Sequence, residues 1–412
     1  MIENLTKIPL HEVLLDNGYF IKRDKNSQDY KALTNANDDL VIISKHRNGD
    51  YLYFNPKNDA DRGNIINFCK NRGIKPNDLL NGKNIVEFKD NLKTKTNNDD
   101  KINSAIEKYK KLEILAQSSN YFTANRKIDI NFLNSFATLK IDNYQSIAIP
   151  TYYIKKDNEE NTILSQSGFI KYLKTPITHD QHGRAYEKPL KQLCYGAKGL
   201  EIIKPKALNK LFICENNIEN KDLKEIKNII LCESSIDSLS LAQINNFNAD
   251  KTLICATNGQ FTQTHKETLE FLKNEAINAE FILGFDNDEA GKRYKEKVIE
   301  ILPNAKILKP VLKDFNDDLI VSNTLKIEPN QLDKSSILNK IIDIDKKAQE
   351  YIKKHNFLTP LGKEEKLKEL REYYKTYNQI KPKIQNVINL KDIEKSFNEI
   401  INIQNNSNYQ TR

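Results

Sequence analysis

The chain has 412 residues, which is too long for one small domain and fits about two to four. Hydrophobic residues make up 38% of it and charged residues 29%, so it can bury real cores between long polar surfaces. The net charge of +8 favours polyanionic partners. No apolar run approaches the ~18 residues of a membrane span, and the first residues lack the order of a signal peptide. We therefore expect a cytoplasmic protein without a membrane partner.

The five cysteines show no zinc-binding pattern. They are Cys69, Cys194, Cys214, Cys232 and Cys255, and none belongs to a C-x-x-C pair or stands beside histidines at zinc spacing. Three of them fall in apolar runs typical of strands, where buried thiols stay reduced. We therefore expect no zinc, and this cysteine usage suits the cytosol.

Residues 1–83 are predicted to form a small α/β domain. Helix signals occupy 9–19 and 63–74, and strand signals occupy 39–56. The letters "RNGD" between two apolar runs predict a hairpin turn. Residues 92–103 are polar and without periodicity, and we expect a linker over residues 84–103.

Residues 104–208 read as a mixed domain. One helix is predicted over 102–122, and strands are predicted over 146–155 and 162–174.

Residues 209–325 show strands alternating with helices, the pattern of βαβ units. The strands are expected at 228–233, 251–257, 279–286 and 305–311, and the helices at 235–245, 263–275 and 288–302. This predicts an α/β domain whose parallel, Rossmann-like sheet carries helices on both faces. Residues 326–412 are helical in pattern and basic, and we expect a helical tail there.

Acidic residues follow three of these strands. Glu233 ends the first, with Asp237 one helical turn later. Asp286 ends the third, with Asp288 two positions on, and the fourth leads to Asp314. Because ligands of open parallel sheets bind beyond the carboxyl ends of the strands, these acids are expected along one edge.

Two interpretations compete for the segment "FDNDEAG". Asp288 could cap a helix, with Glu289 complementing the helix dipole, and this alone explains the segment. Capping does not explain Glu233 or the later segment "KDFND". Several carboxylates on one edge are the ligands that Mg²⁺ or Mn²⁺ prefers, so together they favour a divalent-metal site.

The segments "CESSIDSLS", "ATNGQFTQTH", "FDNDEAG" and "KDFNDDL" occur in this order. They resemble the Toprim domain of bacterial DNA primases, topoisomerases and some nucleases, whose signature is an E-x-x-x-D motif and a later D-x-D motif. The resemblance implies that Glu233, Asp286 and Asp288 hold a divalent metal. In the primase branch it also implies catalytic roles for Lys313 and Asp314, and a nucleotide-binding loop that contains Asn258 here.

The resemblance extends, more loosely, to the segments before residue 209. Residues 104–208 are similar to the basic subdomain of primases, which implies contacts of Lys171 and Lys191 with template or nucleotide. Residues 1–83 are similar to a primase zinc-binding domain, but the metal-binding Cys and His residues are absent. This implies a zinc-free version, as in primase-like proteins of mobile elements.

Other candidates weigh less. Glu215 also ends a strand-like run but lacks the following x-x-x-D. His179 and His182 have metal-like spacing without further ligands and are interpreted as polar loop residues. Tyrosines on strand patterns could stack on bases but are more often core residues; they are Tyr51, Tyr53, Tyr152 and Tyr153.

The resemblance implies a primase-like enzyme that joins NTPs on single-stranded DNA in the replication of a chromosome or mobile element. The C-terminal helices would dock a helicase or a relaxase. Two alternatives stay open at the level of sequence. One is a Toprim nuclease or nicking accessory of a mobilisation or defence system, and the other is a non-catalytic nucleic-acid-binding module.

Overall fold

The computed structural model describes most of the chain, namely residues 5–22, 30–81, 98–115, 120–156, 160–179, 183, 185–207, 217–218, 223–354, 359–386 and 388. Two compact units are present, an N-terminal unit of residues 1–101 and 179–188, and a larger unit of residues 102–178 and 189–412. The finer division expected from the sequence stays a prediction, and most of the expected linker lies outside the described residues. No helix in the described ranges is both long and apolar enough to cross a membrane.

The N-terminal unit is built on a five-stranded antiparallel sheet with the strands in chain order. Its strands are β1 Phe20–Ile21, β2 Tyr30–Thr34, β3 Leu40–Lys45, β4 Tyr51–Asn55 and β5 Asn58–Gly63. Its helices are α1 Leu10–Asp16, α2 Ile65–Arg72 and α3 Pro76–Leu79. The "RNGD" segment forms the β3–β4 turn, where Gly49 adopts a φ of 89° that favours glycine.

Helices α1 and α2 cover one face of this sheet. Phe68 and Cys69 of α2 pack with Leu10 of α1 and with strand residues in one buried core. Tyr51 and Tyr53 belong to this core, because alternate residues of β4 face the helices. The tyrosines of β4 are therefore core residues rather than a base-stacking surface.

A buried ionic cluster ties α2 to the sheet. Arg72 ends α2, and its guanidinium donates to both carboxylate oxygens of Asp39 at 2.8 and 2.9 Å and of Asp61 at 3.1 and 2.8 Å. It also lies 3.9 Å from the ring centre of Phe68. Burial opposes ionisation of the two aspartates, but the hydrogen bonds from Arg72 outweigh it and hold their pKa values below the ordinary 3.8.

Replacing Arg72 is expected to destabilise the N-terminal unit strongly. Arg72→Ala leaves two half-buried carboxylates without their cation, which costs about 3 kcal/mol. Since the folded-state pKa values of Asp39 and Asp61 are depressed, the stabilisation is complete above their ordinary pKa of 3.8 and is lost as the pH falls through the depressed values. Urea unfolding at neutral pH and in acid measures both effects.

The matched control is Arg62→Ala, because Arg62 is an exposed arginine on β5 of the same unit. Equal stability of the Arg72 and Arg62 variants at neutral pH would contradict the role given to the cluster.

The larger unit holds a mixed sheet. Its strands in the described residues are β6 Glu113–Ile114, β7 Lys140–Ile141, β8 Ile147–Lys156, β9 Thr162–His179, β10 Ala185–Gly196, β11 Leu200–Ile203, β12 Asn217–Ile218, β13 Asn228–Cys232, β14 Thr252–Ala256, β15 Glu280–Leu283 and β16 Lys306–Ile307. Strands β14, β13, β15 and β16 lie side by side in this order and run parallel. Strand β11 runs antiparallel to β14 and β8 and joins this section to the hairpin β8–β9.

The expected parallel sheet is thus only one section of a larger, mixed sheet. The parallel section arises where helical crossovers connect the strands, and the antiparallel section arises where short turns do. Because helices cover both faces of the parallel section, its strands are buried on both sides. Ile230 and Ile254 pack with one set of helices, whereas Leu231 and Leu253 pack with the other.

Most helices of the larger unit lie between its strands along the chain. In chain order, the helices are α4 Asn98–Lys110 (whose first residues belong to the N-terminal unit), α5 Tyr121–Arg126, α6 Ile130–Leu133, α7 Ser235–Ile244, α8 Gln263–Glu275, α9 Glu289–Ile301, α10 Phe315–Leu325, α11 Lys334–Lys354 and α12 Pro360–Ile384. Helices α7 and α10 pack on one face of the parallel strands, and α8 and α9 pack on the other.

The single helix predicted over 102–122 is wrong. Helix α4 ends at Lys110, and strand β6 follows and pairs with β7. The next helix begins only at Tyr121, where the side chain of Asn120 accepts hydrogen bonds from two backbone N–H groups of α5. Pairing with a distant strand and a strong helix cap override the helical propensity of the segment.

The C-terminal helices α11 and α12 are packed onto the parallel-sheet region. Ile341 of α11 and Ile380 and Ile384 of α12 share a buried core with Val321 and Leu325 of α10. The segment expected as a helical tail therefore belongs to the larger unit as far as residue 388. The end of the chain, residues 389–412, lies outside the described residues.

Candidate functional site

The carboxyl ends of the parallel strands carry the acids that the sequence singled out. Glu233 follows β13 directly, Asp286 follows β15 after two residues, and Asp314 comes after β16. Asn287 N–H donates to the carbonyl of Lys313 at 2.8 Å and joins the loops that carry the last two acids. The structure thus brings the ends of three neighbouring strands together.

Two glycines permit this close packing. A Cβ on Gly284 would lie 2.2 Å from Leu241 and 2.8 Å from Phe315, so any larger residue would displace these side chains of α7 and α10 from the strand end. A Cβ on Gly291 would lie 2.1 Å from the carbonyl oxygen of Asp286, so α9 starts in direct contact with that residue. The segment "FDNDEAG" ends in glycine for this reason.

Glu233 lies half-buried beside the loop that follows β14. A Cβ on Gly259 would come within 3.4 Å of Glu233 Oε1, and the hydroxyl of Tyr294 holds this loop by donating to the carbonyl of Gly259 at 2.6 Å. Asn258 shapes the same loop with a φ of 52°. Burial raises the pKa of Glu233, and the negative charges of Asp288 and Asp314 raise it further.

Asp237 is buried and serves as a brace between two helices. Its Oδ2 accepts from the hydroxyl of Ser234 at 2.5 Å, and its Oδ1 accepts from the backbone N–H of Asn316 at 3.1 Å. Burial and the charge of Asp314 raise the pKa of Asp237. With both oxygens engaged, Asp237 links the starts of α7 and α10 and positions Glu233 and Asp314.

Asp286 is the acid whose bonding is incomplete. Its side chain is 12% exposed, and Oδ1 has no hydrogen-bond partner. Its Oδ2 lies 3.7 Å from the ammonium of Lys313, whose own side chain is 61% exposed. Burial, followed by the charges of Asp314 and Glu233, raises the pKa of Asp286 to about 7. A buried carboxylate oxygen without a donor is a position where a cation would be favourable.

Asp288 and Asp314 cap helices and also belong to the acidic edge. This name denotes the four acids at the carboxyl ends of the parallel strands, Glu233, Asp286, Asp288 and Asp314. Asp288 accepts from the N–H of Gly291 at 2.9 Å at the start of α9, and Asp314 accepts from the N–H of Asp317 at 2.7 Å at the start of α10. Burial lowers the pKa of Lys313, but the nearby charges of Asp286 and Asp314 outweigh this and raise it. Asp288 and Asp314 therefore cap helices and contribute negative charge to the acidic edge at the same time.

The donor set fits a hard divalent cation in its chemistry. Carboxylates from three strand ends repel one another, and one buried oxygen is unpaired, so a cation would relieve both costs. Within the described ranges, no three His, Cys, Asp or Glu side chains already converge as a finished metal cluster.

A cavity of about 150 Å³ lies next to Asp237 and Asp314. Lys191 and Arg126 line it, which places two cationic side chains beside the acids. The guanidinium of Arg126 donates to the side-chain oxygen of Asn316 at 3.3 Å. Sequence reasoning singled out Lys191 but missed Arg126, because nothing in the segment around α5 marks it as different from other basic residues.

Lys171 has a partner elsewhere. Its ammonium donates to Asp142 Oδ2 at 3.1 Å and lies 5.6 Å from the ring centre of Tyr195. The proposed contact of Lys171 with nucleotide or template remains a prediction. Glu215 and His182 lie outside the described residues, and His179 ends β9. Tyr152 is buried in the sheet core, as the alternative interpretation of the tyrosines expected.

The part of the chain that carries the acidic edge matches a known protein family. Residues 230–319 match the family model described as Toprim-like. The chain carries a Toprim-like domain. Its matched range contains every acid of the edge, from Glu233 to Asp314, together with both glycines that allow their packing.

Other comparisons add less. No curated protein matches the chain. Among solved structures, the chain is similar to the crystal structure of the primase fragment of the bacteriophage T7 primase-helicase protein, at 20% sequence identity and a TM-score of 0.20. The match covers 38% of this chain and 60% of the fragment, so the chain spans less than two thirds of the fragment's length. A TM-score of this size supports no statement about shared architecture.

Substitutions of Asp288 separate its two roles. Asp288→Asn keeps a good helix cap and should leave thermal stability nearly unchanged, whereas Asp288→Ala should cost about 1 kcal/mol through the lost cap. Both variants remove a negative charge from the edge, so both should weaken binding of Mn²⁺, measured by calorimetry. Wild-type Mn²⁺ affinity in Asp288→Asn would mean that Asp288 is a cap only.

Substitution of Asp286 should stabilise the Toprim-like domain. Asp286→Asn removes a repelled, buried charge, and we expect a gain of about 1–2 kcal/mol in the free energy of unfolding in EDTA at mildly alkaline pH. Thermal unfolding measures the gain, with exposed Glu300→Gln on α9 as the control. A loss of stability in Asp286→Asn would contradict the repulsion inferred at this edge.

Proposed function

We propose that the protein is a primase-like enzyme that joins ribonucleotides on a single-stranded DNA template with Mg²⁺ or Mn²⁺. The observation that carries the proposal is the half-buried carboxylate edge within a Toprim-like domain, with the unpaired oxygen of Asp286 at its centre. Raised pKa values and an unpartnered acid in a cleft are typical of a working site rather than of a structural one.

Glu233, Asp286 and Asp288 would hold the divalent cation. When bound, such a cation stabilises the charge that develops on the oxygens of a reacting phosphate. The residues of the chain bind and orient the reactants around it. Asp314 adds charge to the edge and fixes the start of α10, and Asp237 keeps α7 and α10 in register.

Basic residues beside the edge would hold the nucleotide phosphates. Lys313 lies 3.7 Å from Asp286 and is exposed enough to reach a ligand. Lys191 and Arg126 line the neighbouring cavity, where they could contact template or nucleotide. Asn258 belongs to the loop beside Glu233, and its amide would bind the nucleotide there.

The N-terminal unit would act without zinc. The cluster of Arg72 with Asp39 and Asp61 provides a cross-link between helix and sheet that needs no metal ion. This is consistent with a primase-like protein of a mobile element, working in the cytoplasm with a helicase or a relaxase. The C-terminal helices remain the proposed contact of such a partner.

The test is incubation of the purified protein with single-stranded DNA, labelled NTPs and Mg²⁺. Short RNA products should appear with the wild type, and Glu233→Gln and Asp286→Asn should reduce their rate at least about a thousandfold, the scale of a lost transition-state contact of roughly 4 kcal/mol. Circular dichroism and thermal unfolding confirm that the variants are folded.

Exposed Glu300→Gln should make RNA at the wild-type rate, and it controls for the loss of an acid as such. Undiminished RNA synthesis by the variant that carries both Glu233→Gln and Asp286→Asn would refute the proposal. Cleavage of plasmid DNA with Mn²⁺ and without nucleotides would identify a Toprim nuclease instead. Neither product would identify a non-catalytic module.

A further inference from the structure

The C-terminal helix α12 reaches the acidic edge. A cleft of about 770 Å³ opens there, between the starts of α9 and α11, the loop after β16 and the end of α12. Three lysines from separate segments line it, namely Lys313, Lys334 and Lys383. Asp288 of the acidic edge lines the same cleft, so the cleft is continuous with the edge.

Apolar packing fixes α12 in this position. Ile380 and Ile384 of α12 are fully buried against Leu312 and Val321, which flank the acidic edge in sequence. Burying these apolar side chains stabilises the packed position of the helix. The end of α12 is thus held by the core of the Toprim-like domain and not by its charges alone.

Lys383 is the basic side chain that α12 brings to the edge. Its ammonium is bonded to Asp317 in the first turn of α10. Burial and the charge of Asp317 raise the pKa of Asp314, and the charge of Lys383 offsets part of this rise. Lys383 therefore acts on the acidic edge from helix α12, at a position 66 residues beyond Asp317 in the chain.

Three carboxylates, Asp288, Asp317 and Asp333, line the cleft together with the three lysines, and each carboxylate is already engaged by the protein. Asp288 caps α9, and Asp333 accepts from the N–H of Ser336 at 2.6 Å in the first turn of α11. Each of these acids offsets the positive end of a helix. Lys334 is exposed, and the cleft is open to groups that accept from ammonium ions.

We propose that this cleft binds a chain of phosphate groups next to the acidic edge, with Lys334 and Lys383 as its contacts from the C-terminal helices. The phosphates could come from a nucleoside triphosphate or from a nucleic-acid strand, and both offer the same closely spaced anionic oxygens. The proposal rests on the proposed function in that the acidic edge does chemistry on the bound phosphates. In the unliganded protein Asp317 pairs with the ammonium of Lys383. A bound phosphate would replace Asp317 as the partner of Lys383.

The experiment measures binding without turnover, with the full chain at a fixed Mg²⁺ concentration. The two probes are α,β-methylene-ATP, whose bridging carbon prevents nucleotidyl transfer, and a short oligothymidylate. The variants are Lys334→Ala and Lys383→Met, which keeps the apolar stem that packs along the helix. The matched control is Lys375→Ala, since Lys375 is an exposed lysine on the same helix.

Losses of fivefold or more in both cleft variants, with none in Lys375→Ala, support the proposal. Loss for the ATP analogue identifies nucleotide phosphates, and loss for the oligothymidylate, with a salt dependence reduced by about one phosphate contact per lysine, identifies a strand. Affinities equal to those of Lys375→Ala for both probes would overturn the proposal.

Asp317→Asn distinguishes a binding lysine from a merely structural ion pair. If Lys383 binds phosphate, removing its competitor should tighten binding two- to threefold. Weakening as large as in Lys383→Met would overturn the proposal, because the pair would then only hold α12 in place. A protein that makes no RNA but shows these binding changes would refute the proposed function and leave the cleft standing.

Discussion

The repulsion between half-buried carboxylates at the carboxyl ends of the parallel strands is the constraint on which the larger unit depends. Backbone pairing of β13 with β15 and of β15 with β16 fixes the strand ends that carry Glu233, Asp286 and Asp314, so these charges cannot move apart. Burial and neighbouring charges raise the pKa of each of the three acids. Such an edge lowers the stability of the fold wherever its carboxylates are ionised, and either a proton or a bound cation would relieve this cost.

The surrounding structure holds the acids in place and offsets part of their charge. Gly284 and Gly291 allow helices to start against the strand ends, and Asp237 braces α7 to α10. Lys313 and Lys383 supply positive charge from two different segments. The unpaired oxygen of Asp286 shows that these lysines and hydrogen bonds do not fully compensate the negative charge of the edge.

Sequence reasoning succeeded where the signal was local. The helix over 263–275 was predicted with its observed bounds, because its amphipathic pattern and its cap at Thr262 lie within one short segment. Asp286 and Asp288 could be assigned to a strand end because strand and helix patterns adjoin there. The βαβ order also predicted that Glu233 would share their edge.

Sequence reasoning failed where contacts between distant segments decide the structure. The helix expected over 102–122 breaks because β6 pairs with β7, which a local pattern cannot reveal. The four strands predicted over residues 228–311 do run parallel, but local patterns could not show that β11 joins them to the hairpin β8–β9 in one mixed sheet. Lys383 and Arg126 could not be chosen from among 64 basic residues, since only tertiary packing brings them to the acids.

The most direct test is a crystal structure of the protein grown with Mn²⁺, with an anomalous difference map recorded at the manganese edge. We expect a peak at roughly 2.2 Å from Asp286 Oδ1, with further carboxylate oxygens of Glu233 and Asp288 at a similar distance. At saturating Mn²⁺, a map without a peak at this edge would show that these carboxylates do not form a divalent-metal site.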